Sequence, residues 1–251
     1  MTDWAALDRE LALWRAEGRV LPLWWRDDDA VAPSPALDRL LEMSDKLSLP
    51  VHLAVIPAEA TRALASLCRD TVPVLQHGWA HHNHAPDGEK KAEFGTDRPA
   101  PAMCDELSHG ASRLRALFGD DLLPVLVPPW NRISCNLVPL LPQAGLSALS
   151  TFTPRKAATA APGVVQINTH LDPIDWRGTR SAVAFEALIG QLTRDLAQRR
   201  MGATDGAEPY GVLTHHLVHD PAIWSAAEAL LARLLDAGAQ PVHLRAHLKE
   251  G

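Results

Sequence analysis

Short apolar runs alternate with helical periods along most of this chain, and that alternation restricts the fold more than any other feature. Runs over 20–25, 51–56, 72–75, 122–127, 148–152, 164–168 and 210–214 have strand length and read as strands. Segments 4–18, 34–47, 58–68, 104–118, 137–144, 185–200 and 221–237 read as helices, the first from apolar residues recurring at three and four residue steps. Thr2 and Asp3 suit a cap for the first helix, and Ser34-Pro35 suits the start of the second. A short strand near 241–244 closes the chain, and the Ala/Thr-rich stretch 155–162 reads as a loop. Strands that alternate with helices of this length imply parallel strands joined by crossover helices. A length of 251 residues suits one α/β barrel as well as two small domains, but no composition break marks a linker. We therefore treat 1–251 as one domain.

Charge and cysteine usage narrow the function. A formal charge of −6 argues against a broad basic surface for nucleic acid and favours a small-molecule or glycan substrate. No apolar run approaches the roughly 20 residues that span a bilayer. The first residues carry Asp3, Asp8, Glu10 and Glu17 rather than the basic start and apolar core of a signal peptide. Cys68, Cys104 and Cys135 are unclustered and form no CxxC pair, which fits a reducing compartment. A cytoplasmic protein is the expectation.

Reactive residues collect just beyond the strand ends. Asp27-Asp28-Asp29 interrupts the first strand, and His77, His81, His82 and His84 follow the third. Trp130-Asn131-Arg132 follows the fourth, Asp172 and Asp175 lie beyond the sixth, and His215-His216 follow the last. In parallel barrels the carboxyl ends of the strands share one face and build the site. One exposed histidine would be unremarkable, but four within eight residues behind a buried strand point to metal ligation. The His77 to His81 spacing lets two rings meet one ion if the backbone makes about one helical turn. Two imidazoles and a carboxylate with an open position is a common catalytic zinc arrangement, which a second acid and a second histidine would complete as base and acid. The polar stretch 85–101 leaves this segment and is long enough to be a lid.

The order and spacing of these groups resemble the five motifs of the polysaccharide deacetylases, carbohydrate esterase family 4. The residues concerned are Asp27-Asp28, His77-Gly78-Trp79-Ala80-His81, Pro128-Pro129-Trp130, Asp172-Pro173-Ile174-Asp175-Trp176 and Leu213-Thr214-His215-His216. The resemblance runs from about residue 20 to residue 220. It implies a distorted, incomplete (β/α) barrel of about seven parallel strands and hydrolysis of acetyl groups on sugars with a divalent metal, zinc foremost. By the same resemblance Asp27 is the general base, and Asp28, His77 and His81 hold the metal. Trp130 offers its peptide N–H to the oxyanion, and His215 or His216 is the general acid. Asp29, His82, His84, Pro129, Asn131, Arg132, Asp172, Asp175 and Trp176 are expected to line the substrate site.

Three positions depart from the motif pattern. Asp29 stands where a small glycine is expected after the acidic pair, which leaves open a shift of base and ligand by one residue. Gly78 replaces a serine or threonine. Val127 stands where an arginine tunes the base, leaving Arg26 or Arg132 to approach from another direction. The expectation is a metal-dependent deacetylase of an N-acetylated sugar or glycoconjugate. The alternatives are hydrolysis of another amide, cyclic imide or ester on the same fold, and a catalytically silent carbohydrate-binding protein.

Overall fold

A computed structural model describes residues 3–250. Helix α1 (Ala5–Ala16) leads into strand β1 (Pro22–Ala30), then α2 (Pro35–Leu47), β2 (Val51–Val55), α3 (Arg62–Cys68), β3 (Val74–His77), α4 (Ala100–Phe118) and β4 (Leu122–Val127). Strands β5 (Ala148–Leu149), β6 (Thr159–Ala161) and β7 (Val164–Gln166) follow, then α5 (Phe185–Arg200), β8 (Tyr210–Thr214), α6 (Pro221–Asp236), β9 (Gln240–Pro241) and α7 (Leu244–Glu250). The sheet runs β6-β7-β5-β4-β3-β2-β1-β8, and β9 pairs with the start of β1. From β7 to β8 this path holds seven strands in parallel pairs, and only β6 runs antiparallel to its neighbour. The sheet curls into an open, distorted half-barrel, whose far sides touch through the isolated parallel bridge between Leu171 and Val212.

Period-two alternation sorts the strand residues between two cores. Leu23 and Trp25 of β1, Val51, Leu53 and Val55 of β2, and Val212 of β8 pack outward against the helices. Trp24, Ala54, Leu75, Val125, Val127 and Ala148 pack inward and fill the lumen. Two adjacent tryptophans thus serve opposite faces, and each buried indole finds an acceptor. Trp24 Nε1 donates to the Asn168 carbonyl at 3.1 Å, and Trp25 Nε1 to Thr214 Oγ1 at 2.8 Å.

Several elements differ from expectation for identifiable reasons. Strand β1 does not stop at Trp25 but carries Arg26 and the three acids inside it. Helix α2 begins where Ser34-Pro35 places it, with Ser34 Oγ accepting the Leu37 N–H at 3.1 Å, a cap worth about 1 kcal/mol. Thr2 lies outside the described residues, and Asp3 Oδ1 accepts the Ala5 N–H at 2.9 Å. Helix α3 starts at Arg62 rather than residue 58, because Thr61 caps it. The helix expected over 137–144 is a 3-10 helix (Val138–Ala144) with Pro142 inside it. Part of the expected loop 155–162 is β6, and helix α7 follows the closing strand.

The 85–99 stretch has no regular helix or strand, yet its centre is tied down. Ala92, Glu93 and Phe94 are buried, the Phe94 carbonyl accepts the Ser134 N–H at 2.7 Å, and Arg98 Nη1 donates to the Glu93 carbonyl at 3.1 Å. Within the expected lid, residues 86–91 form the longest exposed run, and residues 96, 97 and 99 are exposed beyond the buried centre.

Candidate metal centre

Strand β3 delivers His77 to the lumen side of the sheet, buried and with its ring orientation fixed. Its Nδ1–H donates to the Val127 carbonyl at 2.9 Å, leaving Nε2 to face Asp29 Oδ1 at 3.0 Å. His81 Nε2 lies 3.3 Å from the same oxygen. One ligand atom from each of Asp29, His77 and His81 lies within 4.8 Å of the others, which makes this the candidate metal site among the described residues. The donor set fits a divalent transition metal. With Nδ1 already committed to a carbonyl, the His77 ring would offer Nε2 to an ion, the usual arrangement of a metal-bound imidazole. Burial by itself would raise the Asp29 carboxyl, but the hydrogen bond and charge of His77 hold it well below the usual range.

The segment between the two histidines is not helical. His81 has φ of 56° and Gly78 has φ of 61°, so a sharp turn rather than one helical turn makes the rings converge, with centroids 5.1 Å apart. Glu93 holds this turn. Its carboxylate is buried and accepts the peptide N–H of Trp79 at 3.1 Å, of Ala80 at 2.7 Å and of His82 at 3.4 Å. Sequence reasoning placed Glu93 in the lid and missed this role, and no local spacing announces it. The His82 and His84 side chains are exposed, and their peptide N–H groups serve the loop.

The three acids of β1 point in three directions. Asp29, expected to line the substrate site, is the carboxylate that meets His77 and His81. Asp28, expected as the ligand, instead forms a two-pronged pair with Arg26, Nε to Oδ1 at 2.9 Å and Nη2 to Oδ2 at 3.0 Å. Asp27, expected as the base, is fully buried on the outer side of the sheet and is engaged by Thr214 and His216. The geometry therefore corresponds to the motif shifted by one residue, with buried Ala30 as the small residue after the pair. Of the two arginines considered for the position that Val127 leaves open, Arg26 is the one that pairs with an acid of β1. Its guanidinium crosses the lumen to Ser150 Oγ at 2.8 Å and Asn131 Oδ1 at 2.7 Å, whereas Arg132 donates to the Lys91 carbonyl at 2.7 Å.

Of the two closing histidines, His215 faces the site. Its Nε2 lies 4.0 Å from Asp28 Oδ2, and its ring meets the Trp176 ring at 4.8 Å, edge to face. Asp172 accepts Trp176 Nε1–H at 2.7 Å and the Ile174 N–H at 2.9 Å. Burial raises its carboxyl above the ordinary range, against the opposing charge of His215. His216 turns away to Asp27. Trp130 and Asn131 both have φ of 55°, and the Trp130 ring packs on His81 with centroids 4.4 Å apart. Pro129 is buried against Gly78. Asp175 faces its own turn, accepting the Gly178 and Thr179 N–H groups at 3.0 Å each.

The chain is thus an α/β half-barrel of parallel strands with a candidate metal site, an acid and two imidazoles, at its strand ends. No protein-family model matches the sequence, and no curated protein matches it significantly. Solved structures do match. A family 4 carbohydrate esterase from Streptomyces lividans, in complex with acetate, superposes with a TM-score of 0.54 at 15% identity, covering 88% of this chain and 92% of that one. The Bc1960 peptidoglycan N-acetylglucosamine deacetylase gives 0.50 at 15% identity, covering 88% and 85%. A mutant of a family 4 pseudoenzyme with restored enzymatic activity gives 0.58 at 15% identity, covering 88% and 65%. The chain thus has the fold of carbohydrate esterase family 4, and its structural neighbours across most of its length are polysaccharide deacetylases and related esterases.

Proposed function

We propose that this protein is a metal-dependent deacetylase that hydrolyses the N-acetyl group of a sugar or glycoconjugate. The observation that carries the reading is the convergence of Asp29, His77 and His81 beside an Arg26-held Asp28, with His215 on the adjoining wall. A divalent ion bound there, zinc foremost, supplies a Lewis acid that polarises an acyl oxygen and lowers the pKa of water. Asp28 is the base that takes a proton from the attacking water. The Arg26 fork fixes the orientation of that carboxylate in a buried setting. His215 is the acid that gives a proton to the departing nitrogen, with Trp176 limiting the rotation of its ring. The Trp130 peptide N–H is the oxyanion donor, set by a left-handed backbone that Pro128-Pro129 leads into. Asp172 and Trp176 form the wall behind the acid, and exposed His82 and His84 at the mouth contact the sugar.

Buried thiols at Cys68 and Cys104 and an exposed one at Cys135 fit the expected cytoplasmic setting. Metal analysis and an acetate-release screen test the function together. The expected result is about one divalent ion per chain and acetate from an N-acetyl amino sugar, as a three-ligand open site implies. Stoichiometric metal with no acetate from any N-acetylated or O-acetylated sugar would move the assignment to a silent carbohydrate-binding protein.

A further inference from the structure

Asp27 and His216 are used neither by the metal cluster nor by the proton transfers proposed above. Strand alternation turns Asp27 the way of Leu23 and Trp25, into the layer between sheet and helices. There both residues are buried, with 0% and 1% of their surface exposed. Asp27 Oδ2 accepts Thr214 Oγ1–H at 2.6 Å and the His216 peptide N–H at 3.0 Å, and Asp27 Oδ1 pairs with His216 Nδ1. Thr214 is itself fixed by the indole of Trp25 at 2.8 Å. The residue between Thr214 and His216 is His215, whose own peptide N–H donates to His219 Nε2 at 3.3 Å.

A buried charged pair is an inefficient way to stabilise such a layer. Desolvation offsets most of its attraction, and apolar residues of similar volume usually do as well or better. What the pair supplies here is direction. The chain leaves β8 at Thr214 and enters a 3-10 turn (His216–Val218) through His215 at φ of −143° and ψ of 82°. Asp27 holds the residue on each side of that step.

We infer that Asp27 and His216 form a positioning pair behind the sheet, which fixes the backbone on both sides of His215 and thereby holds its imidazole against Asp28 and Trp176. The inference rests on the reading of His215 as the acid. Removing the pair would let the turn rotate about His215, and a displacement on the order of 1 Å in a reacting group can cost about 10²-fold in rate.

The test compares wild type with the Asp27→Leu/His216→Leu double variant, Thr214→Val and Asp27→Asn. The double variant is expected to hold the same metal content and to lose kcat by about 10²-fold on an N-acetyl amino sugar, with KM nearly unchanged. An activated aryl acetate, whose leaving group needs no proton, should lose less than about threefold. Asp27→Asn keeps an acceptor for the His216 N–H and should recover most of the loss. Thr214→Val unpairs no charge, so it decides the matter if the double variant does not melt cooperatively. Its kcat on the amide should fall about tenfold, with the aryl acetate unchanged. Independently of turnover, the His215 ring resonances should shift and broaden in the double variant or, failing that, in Thr214→Val. A folded variant lacking these contacts that shows wild-type kcat on the amide, or wild-type His215 resonances, overturns the inference. Absence of acetate release by wild type would instead remove the deacetylase reading and leave the resonances to decide the placement of His215.

Discussion

Introducing a serine at Gly78, where the deacetylase motif carries serine or threonine, is expected to damage this protein. Gly78 has φ of 61°, and its backbone is held on both sides, N–H to the Val127 carbonyl at 3.1 Å and C=O to Gln76 Nε2 at 3.0 Å. A Cβ there would lie 2.0 Å from Glu93 Oε2 and 2.7 Å from Pro129 Cδ. The left-handed conformation alone costs a side-chain-bearing residue about 1–2 kcal/mol. Glu93 must also swing away, giving up charge-assisted bonds to the Trp79 and Ala80 peptides that are each worth about 1.5–3 kcal/mol. Allowing for partial replacement by water, the total is about 3–6 kcal/mol, a large part of the stability of an ordinary domain. Urea denaturation of Gly78→Ala and Gly78→Ser reads the stability, and calorimetric titration with a divalent metal reads the site, since the displaced turn carries His77 and His81. Combining Gly78→Ala with Glu93→Ala removes the nearest clash, so the double variant should be more stable than the sum of the singles by about 2 kcal/mol. Strict additivity, or a Gly78→Ala protein within about 1 kcal/mol of wild type with unchanged metal affinity, would refute the steric argument.

Three further outcomes are expected. Asp29→Ala should abolish stoichiometric metal after desalting, whereas Asp28→Asn should keep the metal and lose about 10²-fold or more in turnover; the reverse pattern would restore the unshifted motif. Arg26→Met should leave the buried Asp28 carboxylate unpaired and destabilise the fold by about 3–5 kcal/mol in urea melts, far more than a surface arginine would. His52 is buried, donates Nδ1–H to the Trp25 carbonyl at 3.1 Å and accepts the Leu244 N–H at Nε2 at 3.0 Å, and burial pushes its pKa down to about 3. The unfolded chain takes up that proton below about pH 6.5 and the folded one does not, so stability falls as pH falls from about 6.5 toward 3, by about 1.4 kcal/mol per pH unit. Urea melts of wild type and His52→Gln at about pH 5 and about pH 6 should differ in slope by that amount.

The fold was legible because its strands are short apolar runs separated by helical periods, signals that act locally. The deceptive element was β1. Aspartate is depleted in strands, so Arg26-Asp27-Asp28-Asp29 reads as the end of one. Here each polar side chain inside the strand has a partner that the sequence does not reveal: Ser150 and Asn131 for Arg26, Thr214 and His216 for Asp27. The shift by one residue did leave a signal. Counting in steps of two from Trp24 puts Arg26 and Asp28 on one face, and Ala30 is the small residue that the motif wants. Glu93 left no comparable trace, because its contacts lie 11 to 14 residues away across an irregular loop.

Alternation also explains why three consecutive acids serve three purposes, and why two of them nevertheless reach one mouth. In an undisturbed strand Asp28 and Asp29 would face opposite sides of the sheet, so the two carboxylates could not reach one mouth. The β1–β2 register shifts between Asp27 and Ala30, and Asp29 takes φ of 75°, a bulge that swings its carboxylate back over the strand end toward His77 and His81. His81, which faces that carboxylate, Trp130, whose ring packs on His81, and Asn131, which accepts from Arg26, also have positive φ. Positions of this kind cost on the order of 1–3 kcal/mol each and persist only where the surroundings over-determine them. Glu93 over-determines the His81 turn, and Arg26 ties Asp28 to Asn131. The buried contacts of Glu93 and Arg26 thus hold strained backbone in place, and that backbone carries side chains at and beside the candidate metal centre.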